Sequence, residues 1–80
     1  MDSPEFEQVR EIMANVMMVD PEDISLESTP NTLPAWDSLR HLNLVLALEE
    51  AYGFTLAPEE TEGMVVVKAI VDTVHRKLNG

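Results

Sequence analysis

Three stretches of this chain repeat apolar residues at steps of three and four, and that spacing commits it to helices packed on helices. Phe6, Val9, Ile12, Met13, Val16 and Met17 form the first stripe, and Leu44, Val45, Leu48 and Tyr52 the second. Val66, Val67, Ile70, Val71, Val74 and Leu78 form the third. At 3.6 residues per turn each set falls on one helix face, which folding must cover. The Val65-Val66-Val67 run favours a strand locally, but its continuation at helical period makes it the start of a helix.

Punctuation sets the boundaries. Ser3 is placed to cap a first helix, with Pro4 at its opening position and Glu5 and Glu7 complementing the dipole, and this helix runs to about Met18. From Val19 to Trp36 the chain carries Pro21, Pro30 and Pro34 among Asp, Ser, Thr and Asn, so it forms one long loop. Ile24, Leu26 and Leu33 are available to pin that loop across the bundle.

The second helix begins at Asp37 or Ser38 and ends near Tyr52-Gly53, where glycine permits a left-handed turn. Pro58 leads into Glu59-Glu60-Thr61-Glu62, a brief third helix closed by Gly63. The fourth places His75, Arg76 and Lys77 in its last turn, where positive charge suits the dipole, and ends at Asn79-Gly80. The expected fold class is all-α: a small four-helix bundle of three longer helices and one short one, with a long loop between helices I and II. No repeat, low-complexity segment or internal boundary divides residues 1–80, which read as a single domain.

Size and composition exclude several functions. A chain of 80 residues buries only about 60% of its unfolded surface, which leaves little room for an enclosed active site. It has no cysteine, so disulfides, thiolate metal sites and cysteine nucleophiles are absent. The acids of Asp20-Pro21-Glu22-Asp23 and Glu59-Glu60-Thr61-Glu62 lack the alternating ligands and central glycine of a calcium loop, so no metal site is expected. No apolar run approaches the roughly 20 residues of a membrane span, and Met1-Asp2-Ser3-Pro4-Glu5 has neither the basic nor the apolar region of a secretory signal. A cytoplasmic, monomeric protein without membrane insertion is expected.

The formal charge is −10, from 15 acidic and 5 basic side chains. That balance disfavours nucleic acid and favours partners presenting Lys and Arg. Residues 1–36 hold eight acids against Arg10, residues 37–62 hold six against Arg40, and residues 63–80 hold Asp72 against Lys68, Arg76 and Lys77. Met13, Met17, Met18 and Met64 read as core filler.

Chemistry can then lie in only one place. Trp36-Asp37-Ser38-Leu39 ends the loop and opens a Leu-dense helix whose apolar content exceeds what one buried face needs. Leu39, Leu42 and Leu46 form an additional stripe beside Leu44, Val45 and Leu48. Ser38 either caps the helix or offers its hydroxyl for modification, where a phosphate would meet unpaired N–H groups and the positive end of the dipole. His41 lies one turn on, but no third residue orients it and no oxyanion site accompanies it, so catalysis is not expected.

Asp37-Ser38-Leu39 followed by Leu44-Val45-Leu46-Ala47-Leu48-Glu49-Glu50-Ala51-Tyr52-Gly53 resembles helix II of acyl carrier proteins. The resemblance extends to the amphipathic first helix, to Val19-Asp20-Pro21-Glu22-Asp23-Ile24, to Pro58-Glu59-Glu60 and to the stretch from Met64 to Ile70. It implies a carrier, not an enzyme, with 4'-phosphopantetheine from coenzyme A attached covalently to Ser38 by a phosphopantetheinyl transferase. The arm's thiol would hold an acyl group as a thioester for partner enzymes of fatty-acid, polyketide, surface-glycolipid or related biosynthesis.

By the same resemblance Asp37 presents the serine, and Leu39, Leu42 and Leu46 form the apolar part of a surface that meets acyl-loading and acyl-processing enzymes with basic docking patches. Leu44, Leu48, Ile70 and Val74 belong to the interior, which in some carriers shelters the acyl chain. Arg40 and Asn43 stand where housekeeping fatty-acid carriers tend to be acidic, which dilutes the acidic docking pattern, and Trp36 is more like specialised stand-alone carriers. Val65 stands where Ser or Thr often caps helix IV, so a frayed start is expected there. The competing expectation is an unmodified acidic helical module that binds a basic partner through helix II.

Overall fold

The computed structural model describes residues 4–79, and among them the chain forms four α-helices and no strand. They are α1 (Pro4–Met17), α2 (Ser38–Tyr52), α3 (Pro58–Glu62) and α4 (Val67–Asn79). The expected cap Ser3 and the closing Gly80 lie outside the described residues. No described helix is long and apolar enough to cross a membrane.

α1 packs against both α2 and α4, and the three apolar stripes meet in one core. Val9, Met13 and Met17 of α1, Leu44 and Leu48 of α2, and Val67, Ile70 and Val74 of α4 are almost completely buried. Ile12 and Val16 flank that core, as does Tyr52. Leu78 is the exception in the third stripe: it is 47% exposed, because the last turn of α4 runs past the core.

The end of α1 departs from the expected run of core methionines. Met18 is 81% exposed and adopts a left-handed φ of 59°, and Val19 N–H bonds back to the Ala14 carbonyl at 3.1 Å. This six-to-one closure usually takes glycine at the position Met18 occupies. Met18 is therefore a turn residue, and Met13, Met17 and Met64 alone of the four fill the core.

The long loop crosses the bundle through Ile24, Leu33 and Trp36, all buried, with a single 3₁₀ turn at Pro21–Asp23. It also completes α4. Val67 N–H donates to the Ser28 carbonyl and Lys68 N–H to the Leu26 carbonyl, both at 3.0 Å. The cap position falls on Val66 rather than the expected Val65, and neither side chain can cap, but the start of α4 is not frayed, because loop carbonyls satisfy amides that a capping side chain would otherwise take.

α2 starts at Asp37 as cap and ends at Gly53, whose φ of 73° and N–H bond to Glu49 O close the helix as the sequence indicates. α3 starts with Pro58 at its first position, and the Glu60 carboxylate reaches back to Ala57 N–H at 2.8 Å. Gly63 closes α3 with an ordinary right-handed φ of −81°, so glycine's special freedom is not used there.

Candidate functional site at the start of α2

Asp37, not Ser38, performs the capping. Its extended backbone (φ −104°, ψ −177°) turns the carboxylate onto Arg40 N–H at 2.8 Å, and its carbonyl accepts from His41 N–H at 2.8 Å. Ser38 is then the first helical residue, exposed, and its hydroxyl forms no hydrogen bond with the described residues. Division of labour between the two neighbours leaves the Asp37 carboxylate engaged at the helix start and the Ser38 hydroxyl free to react or to be modified.

His41 does not serve Ser38. The indole Nε1–H of Trp36 donates to His41 Nδ1 at 3.0 Å, and His41 Nε2 lies 2.9 Å from the Thr61 carbonyl. A carbonyl only accepts, so Nε2 carries the proton and the ring is the neutral Nε2–H form, with Nδ1 as acceptor. Both nitrogens are occupied, and the rings of Trp36 and His41 stack with centroids 6.0 Å apart. No lone pair remains to take a proton from Ser38, which removes the hydrolase reading on geometry.

Beside Ser38 opens a cleft of about 530 Å³, walled by Trp36, Asp37 and His41 on one side and by Thr61, Met64 and Val65 on the other. It is the sheltered surface nearest the free hydroxyl. A second open cleft, of about 730 Å³, lies between α1 and the far end of α2, lined by Glu7, Gln8, Arg10 and Tyr52. Tyr52 stands fourteen residues beyond Ser38, about 20 Å along the helix axis, so that cleft is no part of this site. Desolvation, with a smaller contribution from Glu5, raises the Tyr52 phenol above its ordinary value, and its O–H donates to Gln8 Oε1 at 3.0 Å.

The outer face of α2 continues from Ser38 as an apolar stripe: Leu39, Leu42 and Leu46 are 67, 56 and 54% exposed. Leu44 and Leu48 face the core, so the two stripes divide as the sequence indicates. Asn43 and Glu50 are exposed at the border of the outer stripe. Arg40 is not a charge on that face. Its Nη1–H donates to the Met17 carbonyl at 2.9 Å, which turns the guanidinium toward the end of α1 and away from Leu39 and Leu42. The Glu49 carboxylate is likewise committed, accepting Leu56 N–H at 2.7 Å.

Neither the Trp36–His41–Thr61 chain nor the Arg40–Met17 bond was expected from the sequence. A signal existed for the first: side chains on a helix lean toward its N-terminus, so a histidine in the first turn reaches back toward a residue just before the cap. Nothing in the sequence joins either to position 61 or position 17. Among the described residues no group of three His, Asp or Glu side chains is placed to hold a metal ion.

A protein from Petrotoga mobilis named acyl carrier protein is 32% identical over 74 residues, which cover 92% of this chain and 87% of that one. The chain belongs to the acyl carrier protein family. An acyl carrier protein of Thermosynechococcus vestitus is 33% identical over 72 residues, covering 90% of this chain and 89% of its own. No protein-family model matches the chain. The solution structure of holo acyl carrier protein from Geobacter metallireducens superimposes with a TM-score of 0.86 at 31% identity, over 96% of this chain and 88% of that one. Its function is accordingly that of an acyl carrier and not of an enzyme, and the unmodified interaction module finds no support in these relatives.

Proposed function

We propose that Ser38 is the attachment serine, bearing 4'-phosphopantetheine derived from coenzyme A, and that the acyl group travels as a thioester on the arm's terminal thiol. The observation that carries this reading is the division between Asp37 and Ser38: the carboxylate caps α2, and the exposed hydroxyl beside it is unengaged. A phosphodiester on the first helical residue would also meet the amide end of α2 and its dipole, which favour anions. The holo state of the Geobacter metallireducens carrier is consistent with a covalent group on this fold.

Attachment balances as a phosphoryl transfer. Ser38 Oγ attacks the coenzyme A phosphorus that bears the pantetheine, the new O–P bond forms, and the bond to the adenosine bisphosphate breaks. The serine proton leaves to a base of the transferase, since His41 is occupied on both nitrogens. This chain contributes orientation: Asp37 fixes the helix start, and the cleft toward α3 offers the arm a partly apolar bed.

We read residues 1–80 as one carrier domain, since the described helices share one core, and the absence of cysteine and of an apolar run long enough to span a bilayer fits a monomeric, cytoplasmic carrier. Its partners are a phosphopantetheinyl transferase and the acyl-loading and acyl-processing enzymes of fatty-acid, polyketide or related biosynthesis. Their basic docking patches suit the acidic chain, and Leu39, Leu42 and Leu46 supply the apolar contact. Incubation with coenzyme A, magnesium and a broad-specificity transferase should add one phosphopantetheinyl group by intact mass to the wild type and none to Ser38→Ala. Because Asp37 caps the helix, Ser38→Ala should stay folded, with stability within about 0.5 kcal/mol of wild type. An unchanged wild-type mass across several transferases would overturn the assignment.

A further inference from the structure

α3 has five residues and buries none of their side chains, so it is suspended between Leu56 and Met64, the buried residues that flank it. A helix this short has no stability of its own. Polar ties hold it instead. Lys77 of α4 reaches the Glu60 carboxylate and the Thr55 carbonyl, each at 2.9 Å, and Glu49 of α2 accepts Leu56 N–H at 2.7 Å. These fix the beginning of α3. Its end, which walls the cleft beside Ser38, is tied to α2 through His41 Nε2–H and the Thr61 carbonyl.

We propose that His41 is a positioning residue: its neutral ring, oriented by Trp36, fastens the end of α3 to the start of α2 and so sets the cleft that receives a group borne by Ser38. The proposal rests on Ser38 as the attachment serine. Its chemistry is specific, because the position must accept from an indole N–H on one side and donate to a carbonyl on the other. A neutral imidazole does both from one rigid ring. Trp36 is 2% exposed and lines the cleft, so once the acceptor is lost its N–H gains a partner only if water enters there. The bond from Trp36 also selects which His41 nitrogen carries the proton, and hence which one can reach Thr61.

With few apolar contacts of its own, α3 opens locally at a lower free energy than the core helices, and the His41 tie contributes directly to that local value. Amide exchange over residues 58–64 and the emission of Trp36, the single tryptophan, read this in the whole chain before and after loading by the transferase. In His41→Ala, exchange over 58–64 should accelerate roughly five- to tenfold, the factor one hydrogen bond of ordinary net strength supplies, with much smaller changes in α1 and α4. Trp36 emission should shift to the red as the indole meets water. His41→Gln, whose amide offers both an acceptor and a donor, should restore most of the protection.

Loading of Ser38 should slow 58–64 exchange and alter Trp36 emission in the wild type, and both responses should be lost in His41→Ala. Unchanged 58–64 exchange in His41→Ala, equal acceleration across all four helices, or no response of the wild type to loading would each overturn the proposal. If His41→Ala does not fold, His41→Asn, too short to reach both partners, carries the same comparison with His41→Gln. A wild type that gains no mass rejects the Ser38 reading itself, and is told apart from failure of the tie by the exchange of the unloaded variants.

Discussion

Arg40 donates to the Met17 carbonyl, one of the carbonyls that the end of α1 leaves without an intrahelical partner. A positive group at a helix C-terminus is favoured by the dipole as well as by the bond. Arg40→Ala should therefore lower the unfolding free energy by about 1 kcal/mol in urea titration, below the usual range for a charged hydrogen bond because the bond is only part-buried. If Arg40 were a free docking charge, its removal would leave stability unchanged. The two leucine stripes give the converse comparison. Leu42→Asp, at an exposed position, should move stability by no more than about 0.5 kcal/mol while weakening transfer to a partner enzyme. Leu44→Ala, in the core, should cost about 2–5 kcal/mol.

At the level of elements, α3 depends on a single carboxylate more than its exposure suggests. The Ala57 N–H first, and then Lys77, hold the Glu60 carboxyl below its ordinary value. A carboxyl depressed in the folded state contributes stability above its unfolded value and loses it as pH falls through the folded value. Protection of the amides over residues 59–62, taken relative to the intrinsic exchange rate at each pH, should thus fall as the pH drops below the usual carboxylate range, and Glu60→Gln should flatten that dependence. The existence and most boundaries of α1, α2 and α3 were legible from apolar spacing, Pro4, Pro58 and Gly53, because those signals act within a turn or two of where they stand. Ser38 as first helical residue was legible in the same way, to within one position. What holds α4 at Val67 and α3 at Thr61 was not, since the partners lie about forty and twenty residues away along the chain. Propensity at Val65-Val66-Val67 carries no trace of the loop carbonyls that meet the Val67 and Lys68 amides. Met18 shows the same limit: no Gly or Pro marks it as the end of the helix, and only its left-handed φ and the closing bond from Val19 to Ala14 reveal a turn.

Over the whole molecule, a net charge of −10 on 80 residues makes folding compete with self-repulsion. Described ion pairs are few: Lys77 with Glu60, Arg10 with Glu7, and His75 beside Glu5 when protonated. Raising ionic strength from near zero to about 0.15 M, where the Debye length is about 8 Å, should raise the melting temperature. A fall on adding salt would mean that attraction between charges outweighs repulsion. The crossing loop has a kinetic meaning as well. Two amides at the start of α4 are satisfied by Ser28 and Leu26, so the first turn of the last helix is fastened only once a segment some forty residues earlier has arrived. Contacts of that separation slow folding, because loop closure precedes any reward. The loop and α4 should therefore form together and late, and substitutions at Leu26 or Val67 should alter the same limb of the folding chevron. The chain would then become a carrier in one concerted step, with no folded precursor lacking its final helix.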